Sequence, residues 1–200
     1  MADTETDDTP LRRTVAAVAA LNFSYFWVEI AVALAIGSVA LFADSIDFLE
    51  DASVNVLVLL ALGWSARRRR AVGLLLAVLL TIPGLSAVWT ATDKLLSPVA
   101  MVPEPVALTL AGIGALIVNA IAALLLARVR HHGGSLSLAA FLSARNDVLA
   151  NVAIIAAGAA TAATHSIWPD LIVGAGIALL NFGSAREVYE AAMEPEEAQP

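Results

Sequence analysis

The sequence predicts an all-α membrane protein with six transmembrane helices, and three observations lead to this fold class. First, 60% of the 200 residues are hydrophobic and 14% are charged, against roughly half and a quarter in soluble domains. Second, the apolar residues form six runs, each near the length of about 20 residues that a helix needs to cross a bilayer. Third, the basic residues fall in alternate connections between these runs, as expected for a multi-span protein.

The six predicted segments follow one another with short connections. Gly37 alone separates the first two, so we expect them to be tight antiparallel neighbours. Pro83-Gly84 predicts a kink or an early end in the third segment, and the proline-containing stretch Ser97–Pro105 predicts an extended loop. The segments run Thr14–Ile36, Ser38–Trp64, Ala71–Trp89, Val106–Val129, Ser137–Ala163 and Trp168–Arg186.

The basic residues determine the predicted orientation. Nine of them fall on one side of a six-helix arrangement and only Lys94 falls on the other, so the positive-inside rule places both termini in the cytoplasm. We expect a disordered acidic cytoplasmic tail at 1–13, a six-helix transmembrane domain at 14–187, and a short acidic cytoplasmic tail at 188–200. The nine residues are Arg12, Arg13, Arg67, Arg68, Arg69, Arg70, Arg128, Arg130 and Arg186.

Composition excludes several classes of function. The chain has no cysteine, so disulfides and thiolate metal sites are excluded. The formal net charge is −7, much of it in the two acidic tails, and no basic patch is available to bind nucleic acid. One Lys against ten Arg, with abundant Ala, Val and Leu, suggests a GC-rich bacterial genome. We expect a multi-pass protein of the plasma (inner) membrane.

The second segment carries four carboxylates inside an otherwise apolar run. At about 100° per residue, Asp44, Asp47 and Asp51 fall on one stripe of a helix, which Asn55 continues and from which Glu50 is well removed. Ionisable residues at membrane depth are costly and are functional candidates by default. Three carboxylates on one stripe repel one another unless something positive lies between them, and a divalent cation is the obvious candidate.

The fifth segment repeats this pattern. Asp147 is followed one helical turn later by an asparagine, as Asp51 is, and Ser143 stands where the second segment has Asp47. An i, i+4 pair lies on one face of a helix, so two such faces would form a four-position cage. Both pairs lie near the middle of their segments, the depth at which repeat-built transporters bind substrate. We therefore predict a metal site made by Asp47, Asp51, Asp147 and Ser143.

Three motifs surround these residues: Gly37-Ser-Val-Ala-Leu-Phe-Ala-Asp44, Asp47-x-x-x-Asp51, and Trp168-Pro-Asp-Leu at the start of the sixth segment. Together with Ser143-x-x-x-Asp147, they resemble the motifs of the cation diffusion facilitator family of divalent-metal transporters. That family has Gly-Ser-x-Ala-Leu-x-Ala-Asp, an Asp-containing second-helix pair, a His-or-Asp-x-x-x-Asp pair in its fifth helix and Trp-x-Asp-Pro in its sixth. The resemblance runs from Ala20 through Ala191.

The resemblance implies a six-helix transporter, usually a homodimer, that exports a divalent metal from the cytoplasm in exchange for protons by alternating access. It implies a secondary transporter and not an enzyme, without a cofactor, whose partners are the transported cation, protons and the lipid bilayer. The chain departs from the family pattern in two respects. Ser143 stands in place of His or Asp, and we expect no cytoplasmic metal-binding domain after the sixth segment.

The predicted site has oxygen ligands alone. Oxygen favours harder ions such as manganese, iron(II) or magnesium over zinc, although geometry can override this preference. The absence of histidine from the site also removes the natural proton carrier near neutral pH. Proton coupling would therefore fall to the clustered carboxylates.

Other polar residues of the predicted segments have structural interpretations. We expect Asp44 to cap or gate the outer end of the second segment, and Arg145 to form an ion pair with Glu50 or Glu29. Asparagines in the first and fourth segments are expected to form hydrogen bonds between helices rather than to line a cavity. His131-His132 is interpreted as part of a solvated cytoplasmic loop.

Two alternatives to a transporter are open at this point. A non-transporting membrane protein with the same fold could use a degenerate site for sensing or assembly, since the hydroxyl of Ser143 is a weak ligand. An intramembrane aspartyl hydrolase is disfavoured, because its paired aspartates must meet from different helices and no accompanying nucleophile-positioning motif is visible.

Overall fold

The computed structural model describes residues 9–61, 71, 85, 88–97, 101–129 and 134–193, and these are helical apart from short connections. In α5 and α6 the described side chains run from Ala144 to Leu180. The helices are α1 (Thr9–Ile36), α2 (Val39–Ala61), α3 (residues 88–96), α4 (Pro105–Val129), α5 (Gly134–Thr164) and α6 (Trp168–Met193).

The predicted all-α class is confirmed, and the differences lie at helix ends. α1 begins before the predicted first segment and α6 ends after the predicted sixth, because polar residues extend helices beyond the apolar run that hydropathy detects. The third helix passes its predicted end at Trp89 and continues to Leu96, so Lys94 lies on a helix. The predicted kink at Pro83-Gly84 and the basic run Arg67–Arg70 lie outside the described residues.

Three of the described helices are long and apolar enough to cross a membrane: α1, α4 and the Ala144–Thr164 part of α5. In α6, Trp168–Leu180 is a shorter apolar helix. Helix α2 differs from these helices in its charge, because its sequence includes four carboxylates, and charged side chains oppose membrane insertion. α2 packs against α1, α4, α5 and α6, so other helices surround its polar groups.

Apolar packing forms separate clusters toward the two ends of the bundle. In one, the second half of α1 and the first residues of α2 and α4 meet the second half of α5, with Leu41, Leu108 and Ile154 fully buried. In the other, Val18 of α1 packs with Leu126 near the end of α4. The middle of the bundle is thereby left for polar side chains.

The starts and ends of the helices alternate as an antiparallel bundle requires. Leu11 near the start of α1 clusters with Val129 at the end of α4, and Leu59 near the end of α2 packs against them. Arg12 and Arg128 therefore lie at the same end of the bundle. This agrees with the grouping of basic residues that the sequence predicts.

The turn between α1 and α2 follows from one glycine. Gly37 has a φ of 64°, which side-chain-bearing residues rarely adopt, and the N–H of Ser38 donates to the carbonyl of Ala33 at 3.0 Å. This is the Schellman arrangement that ends a helix. Ser38 then caps α2, since its Oγ accepts a hydrogen bond from the N–H of Leu41 at 3.1 Å. α1 and α2 pack against each other, as predicted.

Candidate functional site

A layer of buried and half-buried polar side chains crosses the bundle between the two apolar clusters. In α1 these side chains lie between Val18 and Ala33, which belong to different apolar clusters. In α4 and α5 they likewise lie between residues of the two clusters. We call this set the polar layer. Its members are Asn22, Glu29, Asp44, Asp47, Asp51, Asn119, Asp147 and Asn151.

The two predicted halves of the metal site meet across α2 and α5. The carboxyl group of Asp147 lies within hydrogen-bonding reach of that of Asp51, and Asp47 is close enough to both to interact with them electrostatically. These three side chains are half-buried. From α1, Asn22 Nδ2 donates to Asp51 Oδ2 at 3.2 Å, so the helix opposite α5 orients one of the predicted ligands.

The fourth predicted position, Ser143, lies on α5 one turn before Asp147, and its side chain lies outside the described residues. Among the side chains that the structure describes, no group of three or more Asp, Glu or His is placed to hold a metal ion. The arrangement is a cluster of neighbouring carboxylates rather than a closed coordination shell. The ligand set Asp47, Asp51, Asp147 and Ser143 stays a prediction.

Asp44 lies inside α2 and is fully buried. Its Oδ2 accepts a hydrogen bond from Asn151 Nδ2 at 2.7 Å, and Asn151 Oδ1 accepts one from Asn119 Nδ2 at 3.0 Å. A hydrogen-bonded row thus joins α2, α5 and α4. The expected capping role of Asp44 is wrong, because Ser38 caps α2, whereas the interhelical hydrogen bonds expected of the asparagines are confirmed.

Glu29 of α1 is fully buried beside Asp44. The two carboxyl groups lie within hydrogen-bonding reach of each other. No hydrogen-bond donor reaches either oxygen of Glu29, or Oδ1 of Asp44. The expected ion pair of Arg145 with Glu29 is therefore not formed, and Arg145 is exposed.

The sequence contains a signal for this contact, which was not among the predictions. Glu29 and Asp44 are almost equidistant from Gly37 along the chain. Because Gly37 joins two antiparallel helices, residues equidistant from it lie at the same depth. An ionisable residue in the apolar first segment and another at the same depth in the second are candidates for contact.

A second buried polar group lies at the turn between α1 and α2. Asp170, near the start of α6, accepts hydrogen bonds at Oδ1 from Ser38 Oγ at 2.6 Å and from the N–H of Ala40 at 3.1 Å. Its Oδ2 accepts from the N–H of Val39 at 3.0 Å. The carboxylate thus lies at the N-terminus of α2, where the helix dipole favours negative charge.

Lys94 of α3 completes this group. Its Nζ lies 3.0 Å from Asp170 Oδ2 and donates to the carbonyl of Gly37 at 2.7 Å. Lys94 is 8% exposed and Asp170 is 0% exposed. We call Ser38, Lys94 and Asp170 the turn network. It explains why the Gly37-Ser and Trp168-Pro-Asp motifs occur together, since their residues are in contact.

Close packing supports the turn network. At Gly174, one helical turn after Asp170, an added Cβ would lie 2.7 Å from the N of Ala40 and 2.7 Å from the C of Val39. Only a residue without a side chain lets α6 approach the backbone of α2 this closely. The turn network was not predicted, because Lys94 was expected in a connection and Asp170 was seen only as part of a motif.

One comparison decides the family. The model of the cation efflux transmembrane domain matches residues 15–193, which include the polar layer and the turn network. The chain belongs to the cation efflux family. The resemblance to cation diffusion facilitators is thereby confirmed, and the cation efflux protein is a multi-pass membrane transporter of metal cations and not an enzyme. No curated protein matches the chain.

Proposed function

We propose that this cation efflux protein exports a divalent metal cation from the cytoplasm in exchange for protons. The observation that carries the proposal is the contact between the carboxyl groups of Asp51 and Asp147 in a chain of this family. Two carboxylates in contact repel each other, and a divalent cation between them replaces repulsion with attraction. Asp47, Asp51, Asp147 and Ser143 are the proposed ligands.

The all-oxygen ligand set bears on which metal is carried. Carboxylates and a hydroxyl favour manganese, iron(II) or magnesium, and zinc is bound where geometry overrides the ligand preference. Asn22 donates to Asp51, which holds that carboxylate in one orientation. A ligand held in this way binds metal more tightly than a free one, because outer hydrogen bonds orient ligands.

The direction of transport rests on six spans with both termini in the cytoplasm. The common location of Arg12 and Arg128 at one end of the bundle supports this arrangement, because basic residues collect on the cytoplasmic side. The half-buried carboxylate ligands would then be reached alternately from the two ends. On the family pattern, we propose a homodimer in the plasma (inner) membrane.

The test is uptake of labelled Mn²⁺ and Zn²⁺ into inverted vesicles that contain the full chain. Asp51→Ala should reduce uptake by at least about tenfold, since loss even of outer-shell partners costs about 10–100-fold in metal affinity. Asp93→Ala is the matched control, because Asp93 is an exposed carboxylate on α3. Equal uptake by the wild type and Asp51→Ala contradicts the proposal.

One observation favours a second candidate, a non-transporting protein that binds metal for sensing or assembly. Among the described side chains no group of three Asp, Glu or His is placed to hold a metal ion, and Ser143 replaces a stronger ligand. This candidate predicts metal binding to the purified protein without uptake into vesicles. A transporter shows both, so calorimetric binding measured beside uptake separates the two.

A further inference from the structure

We propose that Glu29 and Asp44 form the proton-binding pair of this antiporter, separate from the carboxylates that bind the metal. The inference rests on the proposed proton antiport and deepens it by naming the side chains that carry the exchanged ion. It assigns a function to Glu29, which lies outside the predicted metal site on a different helix.

Three of the four carboxyl oxygens of the pair have no hydrogen-bond donor. Glu29 and Asp44 are both 0% exposed, and their carboxyl groups lie within hydrogen-bonding reach. An ionised carboxylate only accepts hydrogen bonds, so two of them can bond to each other only when one carries a proton. Both oxygens of Glu29 and Oδ1 of Asp44 have no donor from the protein. One shared proton supplies the missing donor.

Among the described side chains of the first two helices, none donates to either oxygen of Glu29 or to Oδ1 of Asp44. The hydroxyl of Tyr25, one turn before Glu29 on α1, donates to the carbonyl of Ala111 at 2.7 Å and so is directed elsewhere. From α2 the ionisable groups that act on the pair electrostatically are Asp47, which acts on Glu29, and Asp51, which acts on Asp44. Both are acidic.

The other packed helices add no cation among their described side chains. From α5, Asp147 interacts electrostatically with Asp44, and Asn151 donates to Asp44 only at Oδ2. From α4 the neutral Asn119 donates to Asn151. The buried cation Lys94 belongs to the turn network, where it pairs with Asp170 of α6. A proton is therefore the positive charge that the pair can take.

The Glu29–Asp44 pair lies next to the proposed metal ligands, so metal binding can change its protonation. Asp44 lies one helical turn before Asp47, and Asn151, which donates to Asp44, lies one turn after Asp147. Asp51 and Asp147 lie close enough to Asp44 to act on it electrostatically. A divalent cation between those carboxylates reverses the local field and favours release of the proton. Metal binding and proton release are thereby coupled.

The experiment uses the full chain in proteoliposomes, with Zn²⁺ and Mn²⁺ as probes and a pH-sensitive dye inside. Two quantities are measured: metal-driven proton flux, and exchange of labelled for unlabelled metal at equal pH. In Glu29→Gln the amide supplies the missing donor permanently. Proton flux should fall by about tenfold or more while exchange stays within about twofold, since coupling between sites typically amounts to factors of about 5–150.

A second variant keeps the proposal testable if Glu29→Gln does not fold. In Asp44→Asn the amide nitrogen can donate to Glu29 while the amide oxygen still accepts from Asn151, and it should lose proton flux in the same way. Asp93→Asn, an exposed change on α3, should keep both activities. Infrared spectra of the wild type should show a protonated carboxyl band that disappears on addition of Mn²⁺ and is reduced in folded Glu29→Gln, which assigns the band to the pair rather than to Asp51 and Asp147.

The outcomes separate this inference from the antiport itself. If folded Glu29→Gln or Asp44→Asn keeps the proton flux of the wild type, the proposed pair is wrong and the antiport is unaffected. The same conclusion follows if the wild type shows metal-driven proton flux but no infrared band. Joint loss of exchange and flux in folded Glu29→Gln also overturns it, because Glu29 would then serve metal binding. A wild type without metal-driven proton flux contradicts the proposed antiport.

Discussion

Two groups of buried carboxylates in this bundle differ in how their oxygens are satisfied. In the turn network, Asp170 accepts hydrogen bonds from Ser38 Oγ and from two backbone N–H groups and pairs with Lys94. In the polar layer, Glu29 lies against Asp44 and no donor reaches its oxygens. Both Asp170 and Glu29 are 0% exposed, so burial is the same and only the partners differ.

The difference separates structural from functional charge. A buried carboxylate with a full set of donors and a cation is stable as it is and has no further ion to bind. A buried carboxyl without donors is costly unless an ion or a proton completes it. The turn network therefore holds α2, α3 and α6 together, while the polar layer is where we propose that ions are exchanged.

The largest expected effect is a loss of stability in the turn network. Asp170→Asn should lower the free energy of unfolding by about 3 kcal/mol, because it leaves Lys94 buried without its anion. Chemical unfolding of the protein in detergent, followed by circular dichroism, measures the change. Asp93→Asn on the exposed side of α3 is the control.

A variant of Lys94, the ion-pair partner of Asp170, tests the same network. Lys94→Met should destabilise less than Asp170→Asn, because Asp170 keeps its three other hydrogen bonds and methionine fills much of the space. If Lys94→Met proved the more damaging of the two, the account of Asp170 as the centre of the network would be wrong.

In the polar layer, replacing a carboxyl group should raise the free energy of unfolding rather than lower it. Asp147→Asn replaces a carboxyl that contacts another carboxyl with an amide that can donate to Asp51. The free energy of unfolding should rise by about 1 kcal/mol, the typical net contribution of a hydrogen bond, while uptake of labelled metal is lost. A destabilisation comparable to that of Asp170→Asn would erase the distinction between the two regions.

The smallest effect is expected at an exposed carboxylate that also lies at a helix N-terminus. Glu104 accepts hydrogen bonds from the N–H groups of Val106 at 3.0 Å and Ala107 at 2.5 Å at the start of α4. Glu104→Gln should lower the free energy of unfolding by about 0.5 kcal/mol, because solvent screens its interaction with the helix dipole. Comparison with Asp170→Asn in the same unfolding assay gives the contribution of burial. A loss as large as at Asp170 would show that helix capping alone explains both.

Much of the fold could be predicted from the sequence. The hydropathy pattern predicted the helical class, Gly37 predicted the tight α1–α2 turn, and the motifs around Asp47 and Asp51 predicted the family. The repeat of Asp51 in Asp147 predicted which helices would face each other, and the contact of these two carboxyl groups agrees with that. These features depend on local backbone preference and helical periodicity, which a sequence carries directly.

The partners of the buried charges were decided by tertiary structure. Arg145 was expected beside Glu50 or Glu29 and is exposed, while Lys94, expected in a connection, is buried against Asp170. Helical periodicity fixes which residues share a face but leaves free the rotation and axial offset of each helix relative to its neighbours. Those two quantities, set by the packing of apolar clusters at both ends of the bundle, determine that Glu29 meets Asp44 with no donor between them.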